Sequence, residues 1–333
     1  MTPLNRRSLL TTTTAAAASA ALAPIAATLP VLAAAPPVGK QNSGFYRYKV
    51  GSFEVTVVTD GLRVAPVPDN FVRNQPKEAV HAALGALFMD KDKGLSPFNP
   101  VVVNTGAKLI VIDTGLGPAM FAQSKGALGQ FQTNLAAAGV DRNAVDTVII
   151  SHFHGDHING LLTADNKAAY PNAELMVPAA EWKFWMSDEN LAKAPEGLKN
   201  NFNNARRVFG ALGNKVTQYD AGKEITPGIT SVATYGHTPG HTSHVIASGN
   251  SKLIVQADVT AAIAVMFVRN PGWHGAPDMD GATAEATRRK LYDMVVAEKS
   301  MILGFHWAFP GLSHVEKDGA GYRLAPAPWS PTI

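Results

Sequence analysis

The stretch Ser151-His152-Phe153-His154-Gly155-Asp156-His157 decides how the rest of this 333-residue sequence is interpreted. It places three imidazoles and one carboxylate within six positions, directly after the apolar run Val148-Ile149-Ile150. Residues two apart in an extended backbone point to the same side, so His152 and His154 can reach one metal ion together. Four ligand-type side chains at this spacing indicate metal binding rather than a chance group of surface histidines.

The residues that follow the motif predict a short helix. Apolar Ile158, Leu161 and Leu162 recur at helical spacing, which places Asp156 and His157 in the first turn of that helix. These two side chains would then face a position next to the one that the two earlier histidines reach. One loop can therefore contribute ligands to two neighbouring metal sites.

Further ligands must come from elsewhere, because a catalytic metal needs about three protein ligands and an open position. His237 lies in the loop Gly236-His237-Thr238-Pro239-Gly240-His241, whose glycines and proline predict a tight turn. Asp258 follows the apolar run 253–257, and His306 follows the apolar run 301–305. A lone histidine at a strand end is more often structural, but a carboxylate with two oxygens can bridge two cations.

Taken in this order, the HxHxDH motif, the GHTPGH loop, the aspartate and the last histidine resemble the metallo-β-lactamase-fold hydrolases with a dinuclear site. The similarity covers most of the chain after residue 44. It implies an α/β protein, an αβ/βα four-layer sandwich in which helices cover two central sheets. The implied ligands form two groups bridged by Asp258, namely His152, His154 and His237 for one ion and Asp156, His157 and His306 for the other.

The resemblance also implies roles for the residues around these ligands. Asp113 would orient a ligand histidine through its other ring nitrogen, and His241 would stabilise its loop or orient a ligand. The expected nucleophile is a hydroxide held between two divalent cations. Asp156 and Asp258 would be the catalytic carboxylates, which orient this hydroxide and transfer a proton.

The absence of cysteine separates the branches of the family, because the thiolate ligand of the broad-spectrum β-lactamases is missing. His154 stands where flavodiiron oxygen reductases carry a glutamate, which disfavours a redox role. Within the remaining branches the chain most resembles the secreted methyl parathion hydrolase group, through short matches such as Tyr170-Pro171-Asn172-Ala173 and Phe309-Pro310-Gly311. That group implies an aromatic substrate pocket, here formed by Phe121, Trp185 and Phe202, for which core packing is the competing interpretation.

The predicted function is a metal-dependent hydrolase of esters, lactones or organophosphate triesters. The alternatives within the family are an N-acyl homoserine lactonase and a glyoxalase-II-like thioesterase. Outside it, a metal-containing binding protein and, less favoured, an iron-dependent redox enzyme stay open. Because the candidate ligands offer only nitrogen and oxygen, zinc is the expected metal, and manganese, iron or cobalt are chemically acceptable.

The N-terminus predicts export. Residues 1–35 combine Asn5-Arg6-Arg7-Ser8-Leu9-Leu10, a stretch rich in alanine and threonine, and Ala33-Ala34-Ala35, which is typical of a cleaved signal peptide. The paired arginines favour the twin-arginine route over ordinary secretion. Residues 36–44 predict a flexible leader, and 45–333 a single hydrolase domain. The expected location is therefore periplasmic or secreted, without a stable membrane anchor.

Charge and patterning complete the prediction. A formal net charge of +3 with dispersed basic residues gives no indication of nucleic-acid binding, so the expected partner is a small-molecule substrate. The resemblance implies a homodimer. Alternating apolar residues predict hairpins at 46–59 and 101–113, and helical periodicity appears around 128–135 and at 283–299. The less regular segments 62–100 and 183–215 are expected to shape the pocket.

Overall fold

Short runs rich in valine and isoleucine form the strands, as their preference for a pleated, half-buried surface predicts. The structure is a computed structural model that describes residue 39 and residues 41–333. The predicted signal peptide, 1–35, and residues 36–38 and 40 of the predicted leader, 36–44, lie outside the described residues.

The strands and helices alternate along the chain. In chain order the strands are β1 Phe45–Val50, β2 Phe53–Val58, β3 Gly61–Pro66, β4 Lys93–Phe98, β5 Val101–Asn104, β6 Leu109–Ile112, β7 Thr147–Ile149, β8 Glu174–Pro178, β9 Thr217–Tyr219, β10 Glu224–Thr226, β11 Ile229–Ala233, β12 Thr242–Ser248, β13 Ser251–Val255, β14 Met301–Leu303, β15 Leu312–Asp318 and β16 Gly321–Pro326. The helices are α1 Lys77–Ala86, α2 Gly117–Gln123, α3 Phe131–Ala137, α4 Gly155–Ile158, α5 Ala179–Trp185, α6 Asp188–Lys193, α7 Glu196–Ala211, α8 Ala264–Arg269 and α9 Gly281–Glu298, with short 3-10 turns at Arg142–Ala144 and Asn159–Leu161.

The strands form two large sheets and one small one. The first sheet has the order β1-β2-β5-β6-β7-β8-β9, the second runs from β10 to β16 in sequence order, and β3 pairs with β4. Strands β6 to β9 are parallel to one another. In the second sheet β13 and β14 are parallel, and β11 shares their direction because β11 and β13 are both antiparallel to β12. The carboxyl ends of β11, β13 and β14 therefore lie at one edge.

The two large sheets pack face to face through alternate residues of each strand. Val101 and Val103 on β5 belong to the core shared with the second sheet, whereas Val102 between them belongs to the core shared with the helices. The second sheet contributes Leu253, Leu303 and other buried residues to the same central core. This division follows from the period of two of a β-strand, which sends successive side chains to opposite faces.

Helices cover the outer face of each sheet. Helices α3, α5 and α7 pack on the first sheet, with Phe131, Trp185 and Phe209 among their buried side chains. Helices α8 and α9 pack on the second sheet through residues such as Val268 and Leu291. The order of layers is thus helix, sheet, sheet, helix, and the predicted four-layer αβ/βα sandwich is confirmed.

The local predictions hold where periodicity is strong. The expected first hairpin is formed by β1 and β2, and the expected 283–299 helix is α9, which Asp280 caps by accepting a hydrogen bond from the Thr283 amide. The segments expected to be less regular contain more structure than predicted. Segment 183–215 includes the sixteen-residue helix α7, whose buried Phe202, Ala205 and Phe209 follow helical spacing.

None of the described helices combines the length and the apolar character that a transmembrane span requires.

Truncation of a side chain between the two sheets should destabilise the fold. Ile110 on β6 is completely buried in the central core, so we expect Ile110→Ala to lower the free energy of unfolding by about 2–5 kcal/mol. Leu62, which is 45% exposed, provides the control, because Leu62→Ala should change stability by no more than about 0.5 kcal/mol. Urea denaturation followed by tryptophan fluorescence measures both values, and equal effects would contradict the assigned core.

Candidate metal centre

The predicted ligands lie just beyond the carboxyl ends of strands in both sheets. The motif at 152–157 follows β7 of the first sheet, and Asp113 follows the neighbouring β6. In the second sheet His237 follows β11, Asp258 follows β13 and His306 follows β14. Because these strand ends meet where the two sheets face each other, side chains distant in sequence converge on one place.

The backbone of the motif changes from extended to helical within a few residues. His154 has the extended angles φ −69° and ψ 153° and immediately precedes α4, whose four residues include Asp156 and His157 as predicted. Phe153 points the other way, is completely buried and packs against Phe209 with ring centroids 4.4 Å apart. The alternation of side chains therefore directs His152 and His154 toward the site and Phe153 into the helical core, which is the core between the first sheet and its helices.

Three histidines form the first cluster. The Nδ1 atom of His154 lies 3.1 Å from Nε2 of His152 and 2.9 Å from Nε2 of His237. Burial, reinforced by the neighbouring histidines, lowers the pKa of His152 well below its usual value and that of His154 to about 3. The rings of His152 and His154 are therefore neutral, which is the form in which imidazole binds a metal.

Two carboxylates and two histidines form the second cluster. The potential ligand atoms of Asp156, His157, Asp258 and His306 all lie within 4.8 Å of one another. Nε2 of His306 is 3.5 Å from the Asp156 carboxylate, and Nε2 of His157 is 3.7 Å from it. These four side chains surround a single position next to the first cluster.

Asp258 contacts both clusters. Its Oδ2 atom lies 3.3 Å from Nε2 of His237 in the first cluster and 3.1 Å from Nε2 of His306 in the second. Its Oδ1 atom lies 3.3 Å from Nε2 of His157. The Asp258 carboxylate therefore lies within reach of potential ligand atoms of both clusters.

Two orphaned polar atoms test whether these residues fit metal ions. Nε2 of His157 and Oδ1 of Asp258 are buried and have no hydrogen-bond partner within the described part of the chain. Buried polar atoms without partners are rare because they are costly, and a cation between these two atoms would satisfy both. The nitrogen and oxygen donors therefore fit divalent ions such as zinc, and they equally accept manganese, iron or cobalt.

The ring nitrogens that face away from the clusters are held by hydrogen bonds. Nδ1 of His157 bonds the Asp113 carboxylate at 2.8 Å, Nδ1 of His237 bonds Asp278 at 3.0 Å, and Nδ1 of His306 bonds the Pro97 carbonyl at 2.8 Å. Such contacts fix the tautomer, so that Nε2 presents its lone pair to the metal position. The Asp113 carboxylate thus contacts a histidine of the second cluster at the ring nitrogen that faces away from that cluster.

His241 joins the GHTPGH loop to the segment of Asp258. Its Nε2 accepts a hydrogen bond from the Asp258 amide at 3.0 Å, and its Nδ1 donates to the Thr234 carbonyl at 3.0 Å. Burial lowers the pKa of His241 well below its usual value, so the ring is neutral and can accept a hydrogen bond at one nitrogen while it donates one from the other. The structure places His241 outside the two clusters.

The backbone is strained at two positions next to the clusters. Asp113 has φ +59° and Ala257, directly before Asp258, has φ +50°. Residues other than glycine rarely adopt backbone angles in this left-handed region, because the conformation costs on the order of 1 kcal/mol per residue. The turn at Ala257 separates the end of β13 from the carboxylate that contacts both clusters.

A cavity of about 800 Å³ opens beside the clusters at His154 and Asp156. Its wall combines apolar side chains with a few hydrogen-bond donors. The apolar residues are Leu116, Met120, Pro195, Leu198, Pro277 and Met279, and the donors include Arg63, Arg73 and Asn201.

The predicted aromatic pocket differs from this cavity. Trp185 and Phe202 are completely buried in the helical core, where their rings pack 4.7 Å apart and Trp185 lies behind His154 at 6.2 Å. Phe121 is 38% exposed and is not among the residues that line the cavity. The prediction that Trp185 and Phe202 line the substrate pocket is therefore wrong, because α5 and α7 direct these side chains toward the first sheet and the cavity wall comes from other residues.

Several residues of the site were not predicted. Asp278 lies in an irregular segment that carried no sequence signal, although it contacts both His237 and Arg288. Glu181 lies shortly after the buried strand β8, just as Asp113 lies after β6 and Asp258 after β13. This position after a buried strand was the sequence signal that could have identified it. The cavity residues Arg63 and Met120 could be identified only from the packing of their segments.

Comparison with known proteins supports this description. The model of the metallo-β-lactamase superfamily matches residues 95–306. None of the curated protein sequences matches the chain. Among solved structures, AidC, described as a dizinc quorum-quenching lactonase in complex with a product, is similar with 28% identity, a TM-score of 0.78, and coverage of 86% of this chain and 99% of AidC.

Two further structures extend the comparison. The hydrolase AbOPH of the β-lactamase superfamily has 27% identity and a TM-score of 0.78, with coverage of 87% of this chain and 100% of AbOPH. A probable metal-dependent hydrolase from Staphylococcus aureus, at 20% identity and a TM-score of 0.64, shares the fold and covers 86% of this chain and 100% of its own. The family match spans more than half of the sequence. The chain belongs to the metallo-β-lactamase superfamily and is a metal-dependent hydrolase.

Proposed function

We propose that this protein hydrolyses esters, lactones or organophosphate triesters with the help of two bound divalent ions, most simply zinc. The observation that carries the proposal is the position of Asp258 between two clusters of ligand atoms at the cavity. The similarity to AidC, which is described as a dizinc lactonase, supports both the number and the identity of the ions.

The two ions would divide the ligands as the clusters do. One ion would be held by His152, His154 and His237, the other by Asp156, His157 and His306, and both by Asp258. When bound, such ions lower the pKa of water and stabilise negative charge that develops on a carbonyl or phosphoryl oxygen.

The two predicted catalytic carboxylates differ in exposure. The Asp156 side chain is 19% exposed and lines the cavity, whereas the Asp258 side chain is only 3% exposed and is enclosed by histidines. Asp156 is therefore the carboxylate that can hold a proton at an oxygen facing the substrate. Asp258 fixes the distance between the clusters.

The cavity wall supports substrates with an apolar group next to the reacting bond. Leu116, Met120 and Leu198 can bury an acyl chain or an aryl group, and Arg63 and Asn201 can donate hydrogen bonds to its oxygens. These contacts suit carbon and phosphorus esters alike, so the lactone and thioester alternatives stay within the proposal. An open cavity at the clusters favours catalysis over a closed metal-binding protein.

Removal of one ligand from either cluster should reduce metal content and activity together. We expect His237→Ala and His306→Ala each to lose about one equivalent of zinc and to lower kcat/KM at least about 100-fold, roughly 2.7 kcal/mol of transition-state stabilisation. His314→Ala is the control, because His314 lies on β15 and belongs to neither cluster. Elemental analysis and steady-state kinetics measure the effects, and full zinc content in both ligand variants would disprove the assignment.

A substrate panel tests the reaction class. We expect zinc-loaded protein to turn over at least one of an aryl ester, an N-acyl homoserine lactone, an acyl thioester and an organophosphate triester. A chelator should abolish this turnover and added zinc should restore it, since the ions supply the nucleophile. Two tightly bound zinc ions without any turnover would favour a binding protein, and coloured, iron-containing protein would favour a redox enzyme.

Export is part of the proposal and is supported by the paired arginines and the alanine-rich stretch of residues 1–35. In a bacterial host with an intact twin-arginine system, the periplasmic protein should begin close to residue 36. N-terminal sequencing of the periplasmic fraction measures this start. Replacement of Arg6 and Arg7 by lysine should retain the protein in the cytoplasm, and unchanged export would argue for the ordinary secretory route.

A further inference from the structure

Glu181 is a buried carboxylate for which the proposed reaction has no use. It lies in the first turn of α5 and is completely buried. One carboxylate oxygen accepts hydrogen bonds from the Phe153 amide at 2.9 Å and from the indole of Trp185 at 2.7 Å. The other accepts from the Gly240 amide at 2.7 Å. Glu181 thus gathers three donors from three different segments.

Two of these donors belong to the segments that carry the first cluster. Phe153 lies between His152 and His154, and Gly240 lies in the loop that begins with His237. One side chain therefore ties together the backbones of the loops that present the three histidines. None of the three donors is itself a ligand, but Phe153 lies between two ligands of the first cluster and Gly240 lies in the loop of the third. Within the described part of the chain, the segments of Asp258 and His306 donate no hydrogen bond to Glu181.

Gly240 brings its loop into direct contact with the start of α5. A Cβ atom at this position would collide with the backbone nitrogen of Glu181 and the carbonyl carbon of Ala180. Only glycine permits such a close approach of two backbones. The short contact and the hydrogen bond to the carboxylate together fix the loop against the helix.

We propose that Glu181 is a positioning residue that holds His152, His154 and His237 in ligand geometry and thereby sets the metal affinity of the first cluster but not of the second. This inference rests on the proposed two-metal function. Glu181 does not contact the cavity, so it acts only through the loops that it anchors. Nothing in the reaction itself requires its carboxylate.

The variant Glu181→Gln tests the inference with little change in volume. The glutamine carboxamide has one oxygen acceptor and one NH2 donor group. At least one of the N–H groups that now bonds the carboxylate would therefore face another donor, and that hydrogen bond would be lost. We expect the affinity for one of two zinc equivalents to fall about 10–100-fold, as is typical when a contact behind a metal ligand is lost. Titration with zinc in competition with a chromophoric chelator resolves the two affinities. After dialysis against that chelator, elemental analysis should find one equivalent where the unmodified protein keeps two.

Asp60→Asn is the matched control for the loss of a buried carboxylate. Asp60 is completely buried and accepts hydrogen bonds from the amides of Leu116 and Phe131, both at 2.7 Å, and neither donor lies in a loop that carries a ligand. This variant should be destabilised but should keep both zinc equivalents. Gly240→Ala moves the loop without altering the carboxylate and should reproduce the one-site loss, which keeps the test decisive if Glu181→Gln folds poorly.

The outcomes separate this inference from the proposed function. If the unmodified protein binds two zinc ions and Glu181→Gln binds both with unchanged affinity, or loses both equally, the role of Glu181 is overturned and the proposed function stands. If the unmodified protein binds no zinc at all, the proposed function fails and the inference fails with it. Selective loss of one equivalent in Glu181→Gln and Gly240→Ala, but not in Asp60→Asn, supports the inference.

Discussion

The rest of the structure depends on one electrostatic constraint, the convergence of seven imidazole and carboxylate side chains, five of them buried, at a single place. Ring nitrogens approach one another to 2.9–3.1 Å in the first cluster, an arrangement that neutral imidazoles tolerate best around a cation. Behind the clusters, Asp113, Asp278 and the Pro97 carbonyl restrict the rings to one orientation. The left-handed backbone occurs at Asp113, which contacts a ligand histidine, and at Ala257, which directly precedes Asp258.

The local parts of this arrangement could be predicted from the sequence, whereas the grouping of distant ligands around two ions was implied by the family resemblance. A ligand that directly follows an apolar strand must emerge at a strand end, and parallel strands place their ends together. The alternation in His152, Phe153 and His154 needs only an extended backbone, and the first turn of α4 needs only helical spacing after it. The four layers follow from the same alternation, which gives each central strand two apolar faces.

The cavity could not be predicted in the same way because its walls depend on how distant segments pack. Aromatic residues of α5 and α7 are compatible with a pocket or with a core, and only the packing of these helices on the first sheet decides for the core. Arg63 and Met120 approach the site from segments without a metal-binding motif. Asp278 and Glu181 act through hydrogen bonds to groups that lie far from them in sequence.

Each cluster takes ligands from both sheets, since the 152–157 motif belongs to the first and His237, Asp258 and His306 to the second. Bound ions would therefore cross-link the two halves of the sandwich, and a ligand that binds only the folded state stabilises it in proportion to RT ln(1 + [L]/Kd). Loss of the metal ions would weaken the packing between the two large sheets before it altered the strand pairing within either sheet. Resistance to proteolysis would then increase with the availability of metal. Protein without metal, which is catalytically inactive, would be degraded faster than protein that contains it.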